Sequence, residues 1–210
     1  MATIPQPPSF SSEPQPAWNV ALLFPYQGAW SEADYLALDT NRLVELVDGN
    51  LEVLPMPKLS HQAIVRFLFE LLRAFAAKSK SGTVFFAPLR VRIRPETIRE
   101  PDIVFFAAEN YARLGEDYCD GADLVMEIVS PDDESHDRDY VKKRRDYAAA
   151  SVQEYWIVDP QIERITVLAL EGDQYRAHGE FSRGQQATSV LLNGFDVDVS
   201  ATFAAAKKLG

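Results

Sequence analysis

The sequence predicts an α/β (α+β) fold: a mixed β-sheet with helices packed on its faces and a β-hairpin near its start. Three observations predict it. Short apolar runs of strand length alternate with longer segments at helical spacing. The turn Asp48-Gly49-Asn50 joins two such runs, and Asp-Gly is a hairpin signal because glycine takes the positive φ. Asp123 to Val129 is almost continuously apolar, as in a strand buried on both faces.

Residues 1–28 carry Pro5, Pro7, Pro8, Pro14 and Pro16 and are expected as a flexible lead-in. One domain is expected over 29–200, with 201–210 as a short Ala-rich tail. Ser31 with Asp34 predicts a capped helix to about Leu38. The hairpin pairs Leu43–Val47 with Leu51–Leu54 and is stopped by Pro55 and Pro57. Ser60 is the expected cap of a long helix with Ile64, Phe67, Leu68, Leu71, Leu72 and Phe75 on one stripe, ended by Ser81-Gly82. A strand is expected from Thr83 to about Ile93, another over Asp102–Phe106, then a polar excursion through Tyr111 and Gly115. After Asp123–Val129, Ser130-Pro131 breaks the chain and a helix is expected over about Asp137–Ala150. Asp132, Asp133 and Glu134 read as a solvated loop bordering the carboxylates discussed below. Glu154–Val158 and Ile165–Leu170 are strands, with Tyr155 and Trp156 as core residues, and Tyr175–Ala177 and Phe195–Val199 are weaker ones.

The formal net charge of −10 argues against a tight, non-specific nucleic-acid coat, which needs a basic surface. A local basic track remains open, since arginines cluster at Arg90–Arg99 and basic residues at Lys142–Arg145. The single cysteine, Cys119, leaves no intramolecular disulfide and no cysteine zinc site, which points to a reducing, cytoplasmic setting. No apolar run is long enough for a bilayer, so no membrane partner is expected. No secretory signal pattern is present at the N-terminus.

Two predicted strands each carry one carboxylate in apolar surroundings, Asp102 and Glu127. Burying a charge is costly unless it is paired, hydrogen-bonded or metal-bound. Two carboxylates on neighbouring strands repel unless a cation lies between them, and hard oxygen donors suit Mg²⁺ or Mn²⁺. On the next helix Tyr140, Lys143, Arg144 and Tyr147 share a face, so Lys143 is expected to point inward. An ammonium there can orient a water or offset charge on a phosphate. Each residue also has a plainer reading. Asp102 can cap a turn, Glu127 can pair with an arginine such as Arg92, and Lys143 can belong to a solvated basic face. Glu45 is either a third acid or a polar hairpin residue, and His61 either packs or serves the site at a helix N-terminus.

The ordered series Glu45-Leu46-Val47-Asp48-Gly49, Ser60-His61-Gln62, Arg99-Glu100-Pro101-Asp102, Glu127-Ile128-Val129-Ser130-Pro131, Lys143-Arg144-Arg145-Asp146-Tyr147 and Glu154 to Pro160 resembles the Uma2 family (DUF820). These are bacterial proteins of the PD-(D/E)XK, restriction-endonuclease-like superfamily. The resemblance runs from about Trp30 to about Asp198. It implies a restriction-endonuclease-like core with Pro101-Asp102 as the PD element, Glu127 as the second acid and Lys143 in the lysine role. The parent pattern places that lysine two residues after the acid, where this chain has Val129.

The implied activity is a Mg²⁺- or Mn²⁺-dependent endonuclease hydrolysing phosphodiester bonds, with DNA as the expected partner and a homodimer as an analogy from enzymes that cut two strands. Asp102, Glu127 and the Ile128 carbonyl would bind the metal, while Arg92, Arg94, Arg99 and Arg144 are candidates for phosphate contacts. The rival is a catalytically degenerate nuclease-fold module that binds nucleic acid or a protein partner. A small phosphorylated substrate would call for an enclosed pocket instead of a groove.

Overall fold

The computed structural model describes residues 24–40 and 42–207. The expected lead-in therefore lies, up to residue 23, outside the described residues. Its last part belongs to the fold: Gln27 exchanges side-chain hydrogen bonds with the Leu51 backbone, and Phe24 stacks on Trp30.

Helix α1 (Glu32–Leu36) starts with the reciprocal capping box formed by Ser31 and Asp34. Strands β1 (Val44–Val47) and β2 (Asn50–Val53) form the expected hairpin, with Asp48 and Gly49 both at positive φ. Helix α2 (Leu59–Ser79) begins one residue before Ser60. Lys58 stands at its N-cap without a side-chain hydrogen bond, and Lys80 in the left-handed region ends it. The strand expected from Thr83 to Ile93 is two strands, β3 (Gly82–Phe86) and β4 (Val91–Arg94), in different sheets. Pro88 lies between them and lacks the N–H that a continuous ladder needs.

Strands β5 (Thr97–Arg99) and β6 (Ile103–Ala107) follow, then a 3₁₀ turn at Ala108–Arg113, β7 (Cys119–Asp120) and β8 (Leu124–Ile128). The next helical stretch starts earlier than expected. Asp132 caps helix α3 (Asp133–Asp137) by accepting from the Ser135 N–H, so the acids read as a solvated loop are a cap and a first turn. A π-helical turn, Arg138–Lys142, joins α3 to α4 (Lys143–Ala149). Strands β9 (Glu154–Asp159), β10 (Arg164–Glu171), β11 (Gln174–Ser182), β12 (Gln186–Thr188) and β13 (Asp196–Asp198) complete the sheets. The Ala-rich end, expected as a tail from 201, forms α5 (Val199–Lys207) and buries Phe203 in the main core.

The larger sheet has the order β11-β10-β9-β8-β6-β3, in which only β8 and β9 run parallel. The smaller has the order β2-β1-β5-β4-β7, and β12 and β13 pair in a separate two-stranded sheet. Helix α2 packs on one face of the larger sheet through Ile64, Leu68 and Leu72 against Ile103, Phe105, Met126 and Trp156. Tyr147 of α4 packs on the other face with Val104, Val125 and Tyr155. The period-2 alternation of β6 and β8 divides their side chains between these two cores. Helix α4 and the smaller sheet thus cover the face that carries Asp102 and Glu127. Among the described residues no helix is long and apolar enough to cross a membrane.

Candidate active site

Ile103 of β6 pairs with Met126 of β8, and extending that register by one residue sets Asp102 opposite Glu127. Opposed residues on antiparallel strands carry Cβ atoms roughly 5 Å apart on one face. The register thus sets the two acids side by side on one face of the sheet. Asp102 Oδ2 accepts from the Ile128 N–H at 2.8 Å and lies 3.2 Å from His61 Nε2. His61 reaches it from the first turn of α2, so the hairpin-to-helix connection supplies one wall of the site.

Lys143 points inward and is buried. Its Nζ lies 2.8 Å from Glu127 Oε1, 3.4 Å from Glu45 Oε1 and 3.8 Å from Asp139 Oδ1. The Tyr147 hydroxyl donates to the same Glu127 oxygen at 2.6 Å. Glu127 thus pairs with Lys143, not with Arg92. Burial raises the Glu127 carboxyl to about 7; Asp102, Asp139 and Glu45 push the same way and Lys143 opposes them. Burial acts to discharge Lys143, but Glu127, Glu45 and Asp139 outweigh it and hold the ammonium well above its ordinary range.

Behind Lys143 lies a second charged layer. Arg99 is fully buried and binds Glu45 at 2.7 Å, Asp146 at 2.7 Å and Glu52 at 3.1 Å. Burial favours the neutral form of Glu45, yet Lys143 and Arg99 bring it down to about 2. Glu45 Oε1 also accepts from the Glu100 N–H at 2.9 Å. The chain Asp146–Arg99–Glu45–Lys143–Glu127 ties α4, the smaller sheet and the larger sheet together. Glu45 sits on the hairpin, as one of its two sequence readings had it, and reaches the Lys143 ammonium.

Asp102, Glu127, Ile128, Lys143, His61, Arg138 and Asp139 line a cleft of about 220 Å³. Asp139 and Arg138 escaped the sequence reading. Their position on the π-helical turn, where spacing departs from 3.6, hid which way they point. The proposed phosphate contacts fare differently. Arg99 is enclosed by carboxylates and cannot meet a phosphate. Arg92 is paired with Glu32 at 3.0 Å and Arg94 with Asp48 at 2.5 Å, in the smaller sheet. Arg144 donates to the Tyr175 carbonyl at 3.0 Å, on the β11 side of α4. None of these four lines the cleft.

Among the described residues, no three Asp, Glu, His or Cys side chains form a ready cation cage. Asp102, Glu127 and the adjoining Ile128 main chain offer a smaller, oxygen-only donor set. That fits Mg²⁺, which is commonly held by one or two carboxylates and keeps several waters.

A mixed sheet with two opposed strand carboxylates and an inward lysine on the following helix defines a protein of the restriction-endonuclease-like nuclease fold. The chain belongs to the Uma2 family, whose model, described as "Putative restriction endonuclease", matches residues 32–200. Among solved structures it is similar to the crystal structure of "a putative nuclease belonging to DUF820 from Anabaena variabilis ATCC 29413". That match has a TM-score of 0.69 at 18% identity and covers 84% of this chain and 98% of the other. No curated protein matches the chain.

Proposed function

We propose that the protein is a Mg²⁺- or Mn²⁺-dependent endonuclease that hydrolyses phosphodiester bonds of DNA. The observation that carries this reading is the buried Lys143 ammonium, 2.8 Å from Glu127 in a cleft also lined by Asp102. Asp102, Glu127 and the Ile128 carbonyl would hold the metal, which when bound supplies Lewis-acid charge to the scissile phosphate and lowers the pKa of a bound water. Lys143 stays protonated beside its three acids. It therefore orients the attacking water and offsets phosphate charge instead of acting as a base. His61 holds the Asp102 carboxylate in place through Oδ2. Hydrolysis adds water across one P–O ester bond and leaves a phosphate monoester and a hydroxyl.

Calorimetry with Mg²⁺ and Mn²⁺ tests this on wild type and on the double variant Asp102→Ala, Glu127→Ala, with plasmid and single-stranded DNA cleavage in parallel. Metal binding and metal-dependent cleavage by wild type, both lost in the variant, are expected. A second reading, a degenerate module that binds without cutting, is favoured by one observation: Lys143 is already matched by Glu127, Glu45 and Asp139, as in a closed structural ion cluster. A wild type that binds no metal selects that reading.

A further inference from the structure

Among the described residues, Arg138 is the one arginine lining the cleft. Its side chain is 13% exposed. One guanidinium nitrogen, Nη2, donates to the Ser135 hydroxyl at 2.9 Å. Its Nε is buried and has no hydrogen-bond partner among the described residues, although Asp139 Oδ1 stands 3.5 Å away. Asp139 Oδ1 is unpartnered in the same sense. A buried donor left unmade costs free energy, and such groups in a native fold call for an explanation. The four arginines that the sequence offered for phosphate contacts are committed elsewhere: Arg99 to three carboxylates, Arg92 and Arg94 to Glu32 and Asp48, and Arg144 to the Tyr175 carbonyl. The planar fork of arginine is matched to phosphate oxygens, and the π-helical turn presents it one turn ahead of Lys143.

We propose that Arg138, held by Ser135, is a phosphate subsite of the cleft and binds a backbone phosphate of the substrate strand beside the Asp102–Glu127–Lys143 centre. This rests on the nuclease reading of the cleft and names where the substrate's charge is met on a protein of net charge −10. Asp139, 3.5 Å from the buried Nε, keeps the guanidinium aimed, which leaves its terminal nitrogens to meet the phosphate.

The test measures anisotropy of a labelled single-stranded DNA oligonucleotide with Ca²⁺ as the cation, alongside Mg²⁺ calorimetry and melting, for wild type, Arg138→Met and Arg138→Lys. Arg138→Met is expected to weaken oligonucleotide binding about ten- to hundredfold and to lower the log–log salt slope by about 0.7. Arg138→Lys restores part of the affinity, and Mg²⁺ binding is kept in both. Unchanged oligonucleotide affinity with intact Mg²⁺ binding overturns the subsite and leaves the nuclease reading standing. Loss of folding or of Mg²⁺ binding in both variants makes Arg138 structural and also overturns it. A wild type that binds neither cation nor oligonucleotide removes the nuclease reading and the subsite together.

Discussion

Arg99 shows how a single side chain decides the geometry of the site. Its guanidinium has no exposed surface and meets carboxylates from β1, β2 and α4. Removing one member of a buried ion network strands the others. Arg99→Met is therefore expected to cost about 3–5 kcal/mol in urea unfolding, more than a surface arginine could. A loss under about 1 kcal/mol would show that the network is not what joins α4 to the sheets. Glu127 gives a pH signature. Its folded carboxyl is raised from 4.5 to about 7, so the folded state holds the proton more tightly than the unfolded chain. Its contribution is fully present below about 4.5 and is lost as pH rises through about 7. Metal-free wild type should lose stability relative to Glu127→Gln across that window. A flat difference in denaturant midpoints would contradict the burial argument. At this scale the sequence told much about Asp102, Glu127 and Lys143, because a lone charge in an apolar strand or beside inward tyrosines is conspicuous. It told little about Arg99, whose partners lie in segments distant along the chain. An arginine among arginines looks solvent-facing until the fold brings Glu45 and Asp146 to it.

Local elements form where their signals are short-range. The Ser31–Asp34 box, the Asp48-Gly49 hairpin and the α2 stripe each depend on a few neighbouring residues, and each appears where expected. The Asp132 cap was missed because an acid after Ser130-Pro131 looks the same in a loop and at a helix start. Strand β12 and helix α5 were missed because Gln186-Ala187-Thr188 is too short to show a period and alanine repeats show no stripe. The π-helical turn changes the phase of the helix, so Tyr140 and Tyr147 predicted Lys143 inward while Asp139 went unnoticed. Where β3 leaves α2, glycine is required by space. A Cβ on Gly82 would lie 2.0 Å from the Phe106 carbonyl oxygen and 2.7 Å from the Phe105 ring. Gly82→Ala is expected to destabilise by about 1–3 kcal/mol, by separating β3 from β6. A melting temperature equal to wild type would mean that the edge strand shifts freely.

Across the whole molecule, two sheets and two helices enclose one acid-rich cleft. The fold class was legible because strand and helix periods alternate along the chain. The assignment of β3 and β4 to different sheets was not, since they read as one apolar run until Pro88 separates them. A net charge of −10 disfavours a broad basic surface for DNA, so on the proposed function the affinity for a phosphodiester would come from the cleft and its cation. Cation binding should also raise the melting temperature of wild type, since a ligand taken up by the folded state alone stabilises it.

The most direct measurement is plasmid nicking with Mg²⁺ or Mn²⁺ by wild type and by Lys143→Met, with metal binding followed on the same samples. The expected result is nicking by wild type and a variant that still binds metal but cuts at least about a hundredfold more slowly. Nicking by Lys143→Met at the wild-type rate would contradict the assignment of Lys143, and metal binding without any nicking by wild type would contradict a DNA endonuclease.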